Sequence, residues 1–174
     1  MMMSALDAGG MPLLTDTLRQ ADESNPKGYF EYAPVKKMGQ GVTDWVDSAR
    51  GKAVKVISAL LSHLPKRYGY KVIFMEREIN EILASQRHML ERSGKLDENP
   101  IPDAELAQSY HDHLAEVKSW LSQQDWIQTL YVSYNEVLRQ PVIVFEQVAD
   151  FLDGRVDPRK MASVVDPALY REHE

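Results

Sequence analysis

The chain has 174 residues, of which 44% are hydrophobic and 26% are charged, and these values are typical of one globular domain with a buried core. Its formal net charge of -6 disfavours nucleic acids and anionic membranes as partners, because both call for a cationic surface. The absence of cysteine excludes disulfides, zinc-thiolate sites and a thiol nucleophile, and it favours a cytoplasmic location. No run of residues approaches the roughly 20 apolar residues of a membrane span, so we expect a protein that does not cross a membrane.

The first third of the chain is predicted to be helical and then irregular. A helix is predicted over residues 1–8, because the two glycines that follow can adopt the left-handed angles that end helices. Residues 11–34 are polar and rich in turn formers, but three aromatic residues near their end favour an ordered loop. Residues 34–49 are predicted to form a helix that two internal glycines weaken.

Two strand-helix units are predicted in the middle of the chain. Residues 53–57 are predicted to form a first strand, followed by a short helix over residues 59–64 that Pro65 ends. Residues 71–75 include four consecutive apolar side chains, which suit a strand buried on both faces of a parallel sheet. An amphipathic helix follows directly and reaches Leu90.

The last third alternates helices with one more strand. Asp103 is a predicted N-cap for a long helix, whose apolar residues form a single stripe to about Gln124. A strand is predicted over residues 127–133, an amphipathic helix over residues 141–152 and a short helix over residues 158–165. Alternating strands and helices indicate an α/β domain with parallel strand pairing.

Arg77 precedes the middle amphipathic helix, and Ser85 lies within that helix. A cation at the carboxyl end of a buried parallel strand, followed by a helix N-terminus, is typical of an anion site. Ser85 lies about 110° from the centre of the apolar stripe, at about 100° per residue, so we expect it outside the core. The residues alone leave a second interpretation open, in which Arg77 forms an ion pair with Glu76, Glu78 or Glu81.

Three blocks of the chain, in order and spacing, resemble the sulfotransferases that take sulfuryl groups from 3'-phosphoadenosine 5'-phosphosulfate (PAPS). The block that carries Arg77 and Ser85, VIFMEREINEILAS, resembles the 3'-phosphate-binding segment of that family. The block LYVSYNEVLRQP resembles the segment after the last central strand, and it places Tyr134 near the nucleotide, with Asn135 and Glu136 in place of the usual Glu-Asp. The block AVKVISALLSHLP resembles the strand that usually carries Lys-Thr-His and is followed by Leu-Pro.

The resemblance implies which residues act on the sulfuryl group. Lys55 matches the family lysine that approaches this group, although the residues alone also allow a buried salt bridge. The usual catalytic histidine falls on Ile57, so the chain would either use another base or be unable to catalyse the reaction. The carbohydrate and tyrosyl branches of the family use Glu, and Glu31 is the best-placed substitute by chain order; its other interpretation is an ion pair with Lys27 or Lys36.

The resemblance also implies a fold and a reaction. The fold would be a three-layer α/β/α arrangement around a central parallel sheet, like that of P-loop NTPases, in a single domain over residues 1–174 of a bacterial-like protein. The reaction would transfer a sulfuryl group from PAPS to a hydroxyl or amine of a small-molecule or carbohydrate acceptor, without a metal. The alternative is a noncatalytic module that binds nucleotides or partners.

The front of the chain departs from the family pattern. The family places a strand and a Gly-Ser/Thr-rich loop, which holds the 5'-phosphosulfate, before a first helix that resembles residues 1–8. We expect this chain to lack that strand and loop. Since an unfilled sheet position exposes an edge, we also predict self-association into a homo-oligomer.

Overall fold

The computed structural model describes residues 1–16, 18, 28–92, 94 and 101–166. In this part of the chain two strands form a parallel sheet, β1 (Tyr70–Glu76) and β2 (Ile127–Ser133). Their register runs from Tyr70 opposite Ile127 to Glu76 opposite Ser133. Both strands confirm the sequence prediction, and their parallel pairing confirms the α/β class.

Six α-helices and three short 3₁₀ helices surround this sheet in the described ranges. The α-helices are α1 (Met2–Ala8), α2 (Ile79–Arg92), α3 (Asp103–Ser122), α4 (Tyr134–Arg139), α5 (Pro141–Phe151) and α6 (Pro158–Ser163). The 3₁₀ helices are Ala33–Gln40, Asp44–Ala49 and Ser58–His63. None of these helices combines the length and the apolar character that a membrane span needs.

Side chains of β1 alternate between two separate cores. Ile73 and Met75 pack against the first core, which α1, α5 and α6 cover, whereas Val72 and Phe74 belong to the second core, which α3 and the 3₁₀ helices cover. Successive side chains of a strand point to opposite faces, so this division means that the sheet is buried on both sides. The result is the three-layer arrangement that the resemblance implied.

The first core is closed by a tight contact between the end of α1 and α6. A Cβ atom added at Gly9 would lie 2.6 Å from Cγ of Met161 and 3.2 Å from Cβ of Val156, so glycine alone permits this approach. The carbonyl of Gly9 also accepts a hydrogen bond of 2.9 Å from the Asp157 amide. The left-handed angle expected at this turn occurs at Gly10, with φ of 94°.

The predicted strand over residues 53–57 is wrong. In the described part of the chain this segment forms one isolated β-bridge, in which Ala53 pairs with Leu13. Val54 and Val56 nevertheless pack against the second core, so these two side chains are partly buried without forming a ladder. The short helix predicted after it is the 3₁₀ helix Ser58–His63.

Two further predictions need correction, and one helix was not predicted. Residues 34–49 form two 3₁₀ helices instead of one α-helix, because Gly41, with φ of 84°, ends the first of them. Asp103 is the first residue of α3, makes no capping bond and pairs with Arg87. The sequence did not indicate α4, whose start is capped by Ser133 through a hydrogen bond from the Glu136 amide to Oγ at 3.3 Å.

Candidate functional site

Arg77 and Tyr134 meet at the carboxyl edge of the sheet. Each follows a strand directly, and the register pairs the last residue of β1 with the last residue of β2. Cζ of Arg77 lies 4.9 Å from the centroid of the Tyr134 ring, which is a cation-π contact. The structure therefore brings together two side chains that the resemblance had assigned to the nucleotide.

Glu81 holds one edge of the Arg77 guanidinium. Nε of Arg77 donates to Oε2 of Glu81 at 2.9 Å, and the side chains are only 24% and 14% exposed. Of the three possible ion-pair partners that the sequence offered for Arg77, the structure thus shows Glu81. Within the described ranges the Nη nitrogens of Arg77 make no hydrogen bond, so the outer edge of the fork remains able to grip an oxyanion.

Asn135 contacts the same carboxylate from the other strand-helix unit. Its Nδ2 donates to Oε1 of Glu81 at 3.1 Å. Its Oδ1 is buried and has no hydrogen-bond partner in the described part of the chain. Both oxygens of Glu81 are therefore occupied, one by Arg77 and one by Asn135.

The Tyr134 hydroxyl stays protonated at neutral pH. Burial raises the pKa of Tyr134 above its ordinary value of about 10, and the charge of Arg77 offsets part of that rise. A neutral phenol can both donate and accept a hydrogen bond. The ring therefore offers Arg77 an aromatic face, and the protonated hydroxyl can donate a hydrogen bond.

Ser85 lies on α2, two turns beyond the start of that helix, and it is half-buried. No hydrogen bond joins it to Arg77 within the described residues. Its half-buried position on the helix flank fits the expectation that it lies outside the core. Its assignment to the phosphate remains a prediction.

Lys55 and Glu31 also come together. Nζ of Lys55 lies 3.9 Å from Oε1 of Glu31 and donates to the carbonyl oxygen of Tyr29. Oε2 of Glu31 lies 2.6 Å from Nζ of Lys36, and the Glu31 side chain is 17% exposed. The ion pair of Glu31 with Lys36 is therefore present, whereas Lys55 pairs with Glu31 while 38% exposed, so its ion pair is not a buried one. The two predicted catalytic side chains are neighbours.

The extended backbone around Lys55 places an apolar side chain beside it. Val54 and Val56 pack against the second core, whereas Ile57 does not. Ile57 is 61% exposed, which is unusual for a large apolar residue in a folded segment. The position of the expected histidine is thus accessible but carries no proton acceptor.

The family model of the sulfotransferase domain matches residues 44–172, which is most of the chain. The chain belongs to the sulfotransferase domain family. Arg77, Ser85, Tyr134 and Lys55 lie inside the matched range of this domain, whereas Glu31 precedes it. Comparison with curated proteins and with solved structures gave no match.

The sequence did not indicate a polar contact between Ser58 and His113 in the sulfotransferase domain. Oγ of Ser58 and Nε2 of His113 lie 2.9 Å apart, across 55 positions of sequence, and tie the segment after Lys55 to α3. His111 and His113 lie two positions apart on α3, and this spacing does not suit a shared metal ion. No group of three His, Asp or Glu side chains that could hold a metal ion occurs in the described ranges.

Proposed function

We propose that this sulfotransferase domain transfers a sulfuryl group from PAPS to an acceptor hydroxyl or amine. The observation that carries the proposal is the Arg77 guanidinium at the carboxyl edge of the sheet, stacked on Tyr134 and with its Nη nitrogens outside any described hydrogen bond. A planar guanidinium matches the oxygens of a phosphate group, and an aromatic ring beside it suits a nucleotide. PAPS, when bound, supplies the sulfuryl group.

The donor-binding residues in this proposal are Arg77, Ser85 and Tyr134. Arg77 would hold the 3'-phosphate in a charge-assisted contact, and Ser85 would add a hydroxyl donor from the flank of α2. Tyr134 would lie against the nucleotide. Recognition of the 3'-phosphate is what separates PAPS from ATP, which lacks one.

The catalytic residues in this proposal are Lys55 and Glu31. Lys55 would stabilise the negative charge that develops on the bridging oxygen as the sulfur-oxygen bond breaks. Glu31 would accept the proton of the acceptor group, for which it must exchange its contact with Lys36 for one with the acceptor. Positioning and charge stabilisation then supply most of the catalysis, as in phosphoryl transfer.

The remaining parts of the proposal concern the acceptor and the setting. We propose a small-molecule or carbohydrate acceptor, one domain over residues 1–174 and a cytoplasmic location. Self-association stays a prediction.

A noncatalytic nucleotide-binding or interaction module is the second candidate. It is favoured by Ile57, because the exposed side chain at the position of the usual base cannot accept a proton. Donor binding without turnover of PAPS would select this second candidate.

Titration calorimetry with adenosine ligands tests the donor proposal. A charged hydrogen-bonded contact contributes about 1.5–3 kcal/mol, so we expect adenosine 3',5'-bisphosphate to bind on the order of 30-fold more tightly than adenosine 5'-phosphate. ATP serves as a control for total charge and should bind no better than the 5'-monophosphate. Negligible heats for all three ligands, or equal affinities, would remove PAPS as the donor.

A further inference from the structure

We infer that Glu81 and Asn135 are positioning residues that fix the orientation of the Arg77 guanidinium for the 3'-phosphate. The inference rests on the proposed function, because it assigns a task to two residues of the same site. Neither residue carries the positive charge that would hold the ligand. Both act through Arg77.

The contact between Arg77 and Glu81 leaves the phosphate-binding edge of the guanidinium available. Arg77 uses Nε alone, at 2.9 Å, and neither Nη nitrogen makes a hydrogen bond among the described residues. A carboxylate that gripped Nε and Nη2 together would occupy the side-on edge of the guanidinium as well. The observed contact therefore anchors the side chain without closing the site.

Asn135 fixes the Glu81 carboxylate in turn. Its Nδ2 reaches Oε1 at 3.1 Å while Oε2 accepts from Arg77, so rotation of the carboxylate would break one of the two bonds. The contact spans 54 positions and joins the start of α4, after β2, to the first turn of α2, after β1. Asn135 thereby couples the two strand ends between which the anion site lies.

Tyr134 supplies the restraint that Glu81 cannot. Glu81 holds the guanidinium at its edge, and the Tyr134 ring packs on it at 4.9 Å from Cζ. Edge and face restraints together define the position and the plane of a guanidinium. Because Tyr134 and Asn135 are consecutive, the first turn of α4 delivers both the stacking ring and the amide.

Asn135 is costly for stability, which supports a functional reason for it. Its Oδ1 is buried without a partner in the described residues, and an unsatisfied buried acceptor costs about 1–3 kcal/mol. Residues that leave a buried polar atom without a hydrogen-bond partner are concentrated at functional sites.

The amide is also required in place of a carboxylate. The family block that this segment resembles usually has Glu at the position of Asn135. A carboxylate there would face Glu81 at the 3.1 Å that now separates Nδ2 from Oε1, and two like charges so close repel strongly. Asn135→Asp, which changes charge and almost no volume, is therefore the sharpest variant.

Calorimetry with the same two adenosine ligands tests the positioning role. We expect Asn135→Ala and Asn135→Asp to weaken binding of adenosine 3',5'-bisphosphate about 5-fold and about 20-fold, while the affinity for adenosine 5'-phosphate changes less than about 2-fold. Gln86→Ala is the matched control, because it removes an amide on α2 that bonds to Tyr110 at 2.6 Å and does not touch Arg77. Unchanged bisphosphate affinity in both Asn135 variants would overturn the inference.

A second measurement separates this inference from the donor proposal. The Nε–H proton of Arg77 can be followed by ¹⁵N NMR without a ligand, and we expect slow exchange with water in the wild-type protein and exchange at least about 10-fold faster in Asn135→Ala. If the wild type fails to bind the bisphosphate but shows this change, the donor proposal fails and the positioning role stands. Identical exchange in both proteins would overturn the positioning role whatever the calorimetry shows.

Discussion

Replacing Phe145 by alanine is expected to lower the free energy of unfolding by about 3–5 kcal/mol. Phe145 lies on α5, is 0% exposed and packs in the first core with Val137, Val148 and Met161, which are equally buried. Removing the ring leaves a cavity that helices on the face of a sheet cannot close. Since domains are stable by only about 5–15 kcal/mol, this single change removes a large share of the stability. Urea unfolding followed by circular dichroism measures it.

Two further variants keep this prediction testable. Val142→Ala, on the same helix at a position 43% exposed, should change the free energy of unfolding by less than about 0.5 kcal/mol. Phe145→Leu should cost about 1–1.5 kcal/mol and preserve the fold if Phe145→Ala does not fold. A loss below about 1 kcal/mol for Phe145→Ala would contradict the described first core.

Replacing Lys55 by methionine is expected to lower the rate of sulfuryl transfer about 10²–10³-fold, which is the usual effect of removing one group that stabilises a transition state. Methionine keeps the length of the side chain and removes its charge. Affinity for adenosine 3',5'-bisphosphate should change less than about threefold, since Lys55 acts on the leaving oxygen and not on the 3'-phosphate. Release of the bisphosphate from PAPS, in the presence of mixed phenol and amine acceptors, measures the rate.

Lys36→Met is the matched control for Lys55. Lys36 also pairs with Glu31, at 2.6 Å, so its replacement disturbs the same carboxylate without removing Lys55. We expect it to retain turnover within about fivefold of the wild-type rate. Equal losses in the two variants would show that the ion pairs of Glu31, and not the charge of Lys55, determine the rate.

Elements with a continuous apolar pattern could be predicted from the sequence. Both strands were predictable from their apolar residues. β1 contains four apolar residues in a row, and residues 127–133 have the period of a strand. α3 and α5 followed from stripes at helical spacing. In these segments one face, or both faces, must be buried, so composition and period determine the conformation.

Residues 53–57 show where such patterns fail. Ala53, Val54 and Val56 have the composition of a strand, and the two valines are partly buried against the second core. A ladder, however, depends on a partner at the right distance, and the described chain provides one bridge, from Leu13. β-propensity reports a fit to a half-buried surface and carries no information about the partner.

The site was predictable only as far as local motifs reach. Arg77 and Tyr134 stand directly after their strands, so parallel pairing alone brings them together. The hydrogen bonds of Asn135 with Glu81 and of Ser58 with His113 span 54 and 55 positions, and no spacing in the sequence encodes them. Those contacts depend on how the helices pack.

Binding titrations with two ligands and two proteins test most directly whether Arg77 binds the 3'-phosphate of the donor. Adenosine 3',5'-bisphosphate and adenosine 5'-phosphate are titrated into the wild type and into Arg77→Ala, with Arg87→Ala as a control because its ion pair with Asp103 is exposed and lies further along α2. We expect the roughly 30-fold gain from the 3'-phosphate to fall below about threefold in Arg77→Ala and to persist in Arg87→Ala. An undiminished gain in Arg77→Ala would contradict it.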